Sequence, residues 1–401
     1  MTLDIEAFRS QFPALVAGEA YFDGAGGTQT PAAVAEAIAG ALRAPLSNRG
    51  AGSLAARNSA GYVEDFRSAY GDLGAVPAEG IVHGRSATSL TFDFSRTLAR
   101  TWGSGDEIVL SQLDHDCNVR PWVIAAQRSG VAVRWLELDP ATGQFTPESV
   151  ETAITSRTRL LALAGASNLI GSRPDVAALS DAAHQVGALV WVDGVHHAAH
   201  SFVDLAALGA DFYVCSPYKF FGPHCGVLIA NPQVLQQLSP DKLLPSTNES
   251  PECFELGTLP YEQLAGATAA VDFIASWGEG PSRRERLRSA HTAFAAHETE
   301  LLGVLDDGLA DLIGDGRVVN HSRAQRRTPT TLLTFAAADP ALIAGTLAAQ
   351  GLIAPSGTFY AYEPALALGL GESGGLRISL AAYTSREEVE RLVAALQSAL
   401  A

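Results

Sequence analysis

The chain has 401 residues, 47% of them hydrophobic and 17% charged, with a formal net charge of −16. These proportions describe a globular chain with room for two domains and a substantial core, not a disordered one. The acidic balance argues against nucleic acid or an anionic membrane as a partner. No apolar run approaches the ~20 residues of a membrane span, and no basic stretch leads into an apolar N-terminal core. The four cysteines, Cys117, Cys215, Cys225 and Cys253, show neither CxxC nor a disulfide framework, so a cytoplasmic protein is expected.

Ile5, Phe8 and Phe12 predict a short helix that ends before Pro13. The stretch Tyr21-Phe22-Asp23-Gly24-Ala25-Gly26-Gly27-Thr28 is glycine-dense, which lets backbone turn sharply or approach a ligand. It lacks the spacing of either nucleotide fingerprint. A helix is expected from Thr30 as N-cap and Pro31 as first residue, with Val34, Ile38 and Leu42 on its buried face. Asn48-Arg49-Gly50 reads as a loop, where an arginine is ordinarily solvated. Ser86-Ala87-Thr88-Ser89 opens an amphipathic helix carrying Leu90, Phe94, Leu98 and Trp102 at every fourth place. Its free N–H groups and positive dipole end make a ready anion site.

Glu107 to Leu110 predicts a strand, with Asp114-His115-Asp116-Cys117-Asn118-Val119-Arg120-Pro121-Trp122 beyond its carboxyl end. Val131 to Leu138 and Arg159 to Ala164 are further strands, the second closed by Ser167-Asn168-Leu169-Ile170-Gly171. A helix over Asp175 to Val186 leads into the continuous apolar run Ala188 to Val192, the mark of a strand buried on both faces. That run ends in Asp193, and a carboxylate there is costly unless a cation waits for it. His196 and His200 could share a helical face near Asp193, but no HExxH or comparable ligand pattern accompanies them, so no metal is expected. Phe212 to Cys215 is another strand, followed by Ser216-Pro217-Tyr218-Lys219-Phe220-Phe221-Gly222-Pro223, and Gly226 to Ala230 returns. One long helix is expected from about Gly266. The arginine clusters 283–288 and 323–327 read as solvated faces. Thr330 to Phe335 and Arg377 to Leu380 are late strands. Strands alternating with helices argue for βαβ units and a parallel sheet.

Asp193 and Lys219 are the pair that carries chemistry. Each stands at a strand end, one βα unit apart, where loops aim side chains into the crevice at the sheet's carboxyl edge. Apolar and aromatic neighbours desolvate a lysine, lower its pKa and make its amine a nucleophile for Schiff-base formation. A strand-end aspartate beside it is the arrangement that keeps a pyridine nitrogen protonated in pyridoxal-phosphate enzymes.

The order Val192-Asp193-Gly194-Val195-His196, then Ser216-Pro217-Tyr218-Lys219-Phe220-Phe221-Gly222-Pro223, resembles the class V aminotransferase and cysteine desulfurase family, and more closely its desulfurase-like branch. The resemblance runs from Tyr21 to the final helix through about eight motifs in family order. It implies an α/β protein of pyridoxal-phosphate fold type I: a large, mainly parallel, seven-stranded sheet domain (30–265) and a smaller α/β domain (1–29 with 266–401). It implies pyridoxal 5′-phosphate as cofactor, an amino-acid substrate and a homodimer. By the same resemblance Lys219 forms the Schiff base, Asp193 faces the pyridine nitrogen and His115, from [ED]-H-x-x-N-x-x-P-W, stacks on the ring. Ala87, Thr88 and Ser216 hold phosphate, joined by Thr258 of the neighbouring subunit, from F-E-x-G-T. Tyr218 stands where a histidine commonly contacts phosphate. His196 meets the phenolic oxygen, and Asn168 meets that oxygen or the substrate carboxylate. Arg49 borders the substrate pocket, and Arg377, from R-x-S-L-A-x-Y, grips the α-carboxylate.

One departure matters. The loop Ala354-Pro355-Ser356-Gly357-Thr358-Phe359-Tyr360-Ala361 is where desulfurases carry the cysteine that holds the persulfide, and Tyr360 takes its place. A phenol cannot carry a persulfide, though it can donate a proton or pack against a ligand. The expected reaction is therefore cleavage at Cβ of a sulfur- or selenium-bearing amino acid by β-elimination, with transamination or epimerisation as the alternative. A non-catalytic binding module requires the Lys219–Asp193 pair to be coincidental.

Overall fold

The structure is a computed structural model describing residues 3–401. Seven strands form the central sheet: β1 (Ile81–Gly84), β2 (Glu107–Ser111), β3 (Ala132–Leu136), β4 (Thr158–Ala164), β5 (Leu189–Asp193), β6 (Phe212–Cys215) and β7 (Gly226–Ala230). Their order is β1-β7-β6-β5-β4-β2-β3. All neighbours are parallel except β7, which runs antiparallel to both β1 and β6.

Strand periodicity explains why these runs are apolar throughout. On β5, Val190 and Val192 join the core on one face while Trp191 joins the core on the other. On β6, Tyr213 and Cys215 alternate in the same way with Phe212 and Val214. Side chains two apart share a face, so a strand covered by helices on both sides needs apolar residues at every position. The helix Ala87–Leu98 lays Leu90, Phe94 and Leu98 onto this second face, with the Phe94 ring 5.5 Å from Trp191 and 5.7 Å from Phe212. Each such side chain withdrawn from water contributes roughly 1.5–3 kcal/mol.

A second sheet holds β8 (Val318–Asn320), β9 (Thr330–Phe335), β10 (Ser356–Gly357) and β11 (Gly375–Ser379), antiparallel in the order β8-β9-β11-β10. The N-terminal segment joins this end of the molecule, because Ala20 and Tyr21 pair in parallel with Leu352 and Ile353.

Several expectations are corrected. The long helix is two, Tyr261–Ser276 and Arg283–Gly314, because Gly278-Glu279-Gly280-Pro281 interrupts the pattern. Pro31, not Thr30, occupies the N-cap of the helix Ala32–Arg43, and no side chain caps it. Leu42 is 64% exposed, with Ala41 on the buried face instead. The helix after Ser86 ends at Leu98, leaving Trp102 outside it. Within the 283–288 run, the first two arginines are not simply solvated. Arg283 pairs with Asp72 and Asp272, and Arg284 pairs with Asp204 while lying over the Phe202 ring. In the second cluster Arg327 is likewise drawn in, onto Asp306 at 2.6 Å.

Candidate active site

The carboxyl edge of the sheet gathers the chemistry. His115 follows β2, Asn168 follows β4, Asp193 ends β5 and Lys219 follows β6. The N-terminus of the helix Ala87–Leu98 faces the same point. Ser86 caps that helix through a reciprocal capping box with Ser89, so its first turn is fixed. β7 runs hard against it: a Cβ on Gly226 would come within 2.3 Å of the Ser86 carbonyl carbon, so only glycine lets strand and turn approach. Gly194 is constrained in the same way, since a Cβ there would lie 1.9 Å from the Tyr213 ring.

An inner recess of about 90 Å³ is lined by Ala87, Thr88, His115, Asn168, Asp193, His196, Ser216, Tyr218 and Lys219, together with Cys117. It shares Thr88, His115, Cys117, Asn168, Tyr218 and Lys219 with an outer cleft of about 620 Å³, to which Asp23, Phe359, Tyr360 and Arg377 also contribute.

Lys219 is buried, and its ammonium donates to the carbonyls of Ala25 and, at 3.0 Å, Gly26. This gives the glycine-dense N-terminal segment its purpose: its backbone oxygens come to the lysine. Burial, reinforced by the nearby Arg377 cation, lowers the amine to about 8. Asp193 is 5% exposed and its carboxyl is raised by burial. One oxygen accepts the Val195 N–H at 2.8 Å, and the other faces the Cys117 thiol at 3.4 Å.

The 114–122 motif divides into scaffold and tool. Asp114 is fully buried, accepts from Asn118 at 2.6 Å and from the Ala164 N–H at 3.0 Å, and burial raises it to about 8. Asn118 in turn accepts the Trp122 indole N–H at 3.1 Å. That network holds the turn from which His115 projects. Burial lowers His115 to about 4, so its ring is neutral, with Nδ1 accepting the Cys117 N–H at 3.0 Å.

Arg377 lines the outer cleft. Its guanidinium donates to Asp23 at 2.5 Å and to the Asn168 carbonyl at 3.0 Å, and it covers the Phe359 ring at 3.7 Å. Phe359 and Tyr360 are consecutive non-glycine residues at φ 54° and 55°, a left-handed conformation that must be held from outside. The anchors are Asn168, whose amide donates to the Phe359 carbonyl at 3.0 Å, and the Asp116 N–H, which donates to the Tyr360 carbonyl at 2.7 Å. The Tyr360 side chain is 78% exposed, its ring 5.6 Å from His115.

Two sequence-predicted residues lie outside both cavities. Arg49 is turned away to Glu252 at 3.5 Å, and Thr258 is exposed on the surface. His196 lines the recess, but its Nε2 meets Thr328 and Thr330 at 2.9 and 3.0 Å, leaving Nδ1 without a partner. Among the described residues, no group of three or more His, Cys, Asp or Glu side chains is placed to hold a metal ion. Sequence reasoning missed Asp23 and Cys117. Signals existed: an acid inside a glycine-dense segment, and a thiol two residues after His115.

The donor set suits a phosphorylated pyridine aldehyde. A desolvated amine, a buried carboxylate, a neutral imidazole, a capped helix N-terminus and the orphaned Asn168 Oδ1 and His196 Nδ1 all border one recess. The Aminotransferase class-V family matches residues 20–392.

The chain belongs to that family.

Its cofactor is pyridoxal 5′-phosphate, and it is an enzyme of the class-V, cysteine-desulfurase-like group. A probable cysteine desulfurase of Vibrio cholerae is 31% identical over 420 residues, covering 100% of this chain and 99% of that one. Another, of Pseudomonas putida, is 32% identical and covers 98% of both. The crystal structure of the Escherichia coli cysteine desulfurase CsdA superposes with a TM-score of 0.87 at 27% identity, over 100% of this chain and 99% of that one. These agree with the fold: an α/β protein of pyridoxal-phosphate fold type I around a large, mostly parallel sheet. No helix among the described residues is long and apolar enough to cross a membrane.

Proposed function

We propose that this family member is a homodimeric lyase that cleaves the Cβ–S or Cβ–Se bond of an amino acid by β-elimination, without a protein-bound persulfide. One observation carries the reading. Tyr360, not a cysteine, tops the anchored loop over the cleft, and the one cysteine that lines the recess among the described residues is unsuited to replace it. Burial and the Asp193 carboxylate push the Cys117 thiol well above its ordinary pKa, so it has no thiolate with which to attack sulfur.

The cofactor, when bound, supplies an electron sink for negative charge developing at the substrate Cα. The remaining work falls to side chains. Lys219 holds the cofactor and, once displaced by the amino acid, takes the Cα proton; an amine lowered to about 8 is well matched to that exchange near neutrality. Asp193 would hold a positive charge on the pyridine nitrogen, and neutral His115 would cover the ring. Ala87, Thr88 and Ser216 offer donors to phosphate, with Tyr218 beside them and Thr258 reaching across from the partner. His196 Nδ1 and Asn168 would meet the ring's oxygen. Arg377 takes the α-carboxylate, with Asp23 yielding part of its contact, and Arg49 borders the entrance only through the dimer. As the Cβ–S bond breaks, its electron pair leaves on sulfur, which is protonated by Tyr360 or by solvent. Hydrolysis of the remaining fragment gives pyruvate and ammonia.

The domain division follows as a proposal too: 30–265 carries the cofactor, while 1–29 and 266–401 bring Asp23, Arg377 and the 356–360 loop. Product identity tests the mechanism. The holoenzyme given cysteine, cystine or selenocysteine should release pyruvate and ammonia in equal amounts. Stoichiometric alanine, with a persulfide on Cys117, Cys215, Cys225 or Cys253, would overturn it.

A further inference from the structure

A second cleft lies away from the recess, at the seam between the two sheets' layers. Its cavity of about 440 Å³ is bordered by the 138–145 hairpin, by the segment 172–182 and by residues 325–326 of the 321–329 connection into β9. That size is in the range of small-ligand pockets, which favour junctions of this kind. The floor is apolar, with Leu113, Phe145 and Leu179.

Arg173 and Arg326 both line the cleft. Arg173 is half-buried, and burial together with the neighbouring Arg326 lowers its pKa. No carboxylate pairs with either arginine among the described residues, although the chain carries 43 acidic residues. Asp175 is on the rim, where its Oδ1 accepts the Ala178 N–H at 3.2 Å and neither oxygen pairs with an arginine. Two cations bordering one cleft with no carboxylate partner favour an anion there. An independent sign comes from Ser172. It is 1% exposed, lines the cleft, and its hydroxyl has no hydrogen-bond partner. A buried hydroxyl left unmatched calls for a partner from outside the chain.

The walls are also tied to each other, so the site is built and not merely open. The Arg173 N–H donates to the Arg326 carbonyl at 2.9 Å, and the Thr328 N–H donates to the Gly171 carbonyl at 2.9 Å.

We infer that this cleft binds a small amphiphilic anion, a monocarboxylate whose head lies between Arg173, Arg326 and the Ser172 hydroxyl and whose apolar body covers Phe145 and Leu179. A planar guanidinium pair matches a carboxylate better than a lone ammonium would. The apolar floor distinguishes such a ligand from a free inorganic anion.

The test uses holoenzyme loaded with pyridoxal phosphate and three probes, octanoate, octanamide and inorganic phosphate, with binding followed by calorimetry. Octanoate should bind, and octanamide and phosphate should each bind at least about tenfold more weakly, since each lacks one half of the match. Arg326→Gln alters an exposed residue and should weaken octanoate by about tenfold, the loss of one charge-assisted contact. Ala178→Trp, on the exposed face of the helix Val176–Gln185, should block the cleft without touching either arginine. No octanoate binding, phosphate binding as tight as octanoate, or octanoate affinity unchanged in both variants would overturn the assignment.

Discussion

Asp193→Asn should move stability and catalysis in opposite directions. In the cofactor-free chain the carboxyl is 5% exposed and its pKa is raised by burial. A raised carboxyl pKa means that the ionised form is less favourable folded than unfolded. Its contribution therefore becomes destabilising as pH climbs through the unfolded value and on past the folded one. An amide removes that cost at neutral pH while keeping an oxygen for the Val195 N–H at 2.8 Å. The apo-variant should consequently melt no lower than wild type, and its advantage should vanish in acid. With cofactor the balance inverts. A neutral amide cannot sustain a charged pyridine nitrogen, and losing one charge-assisted hydrogen bond costs about 1.5–3 kcal/mol, or about 10- to 150-fold. Cofactor affinity should fall within that range, and turnover should fall further because negative charge at Cα loses its sink. Fluorescence titration with pyridoxal phosphate, melting curves of the apo-protein from pH 4 to 8, and steady-state kcat would measure each part. A cofactor-saturated variant with kcat within about threefold of wild type would refute the reasoning.

Three further outcomes are expected. Cofactor uptake by the apo-enzyme should accelerate as pH rises through about 8, the region where Lys219 loses its proton, and not only near the ordinary lysine value; borohydride reduction and peptide mapping should then place the label on Lys219. Gly226→Ala should cost at least about 1–3 kcal/mol and impair cofactor binding, because its methyl would meet the Ser86 backbone; denaturant melts and cofactor titration would show both. Mixed dimers of Lys219→Ala with Thr258→Ala should regain a fraction of native sites, and verified heterodimers without activity would count against a shared phosphate site.

Local periodicity made the sheet legible. Leu160 to Ala164 of β4, Leu189 to Val192 of β5 and all of β6 are apolar because both faces are covered, and their ends display Asn168, Asp193 and Lys219 in chain order. The motif from Asp114 to Trp122 was legible through its resemblance to the family pattern, and its hydrogen bonds link residues four apart. What escaped were contacts between residues distant in the chain. Arg377 and Asp23 are 354 positions apart, and nothing local announces that one neutralises the other. The basic run 283–288 looked solvated because its partners, Asp72 and Asp204, lie far upstream. The helix break near Gly278 is a different case, since Gly-Glu-Gly-Pro is readable punctuation that the surrounding apolar pattern masked.

The pairing of Ala20 and Tyr21 with Leu352 and Ile353 has a consequence for how the enzyme comes into being. As the polypeptide leaves the ribosome, Asp193 and Lys219 emerge with much of the chain still to follow. The Ala25 and Gly26 carbonyls that receive the lysine have long since emerged, yet their segment has no strand to join until residue 352 is made. Closing so large a loop is slow, and non-local pairing of this kind sets the pace of folding. A nascent chain halted before Leu352 would own its amine and its carboxylate but would lack both this pairing and Arg377, whose cation helps to lower the amine. The surroundings of the lysine are therefore completed by the last part of the chain to be made.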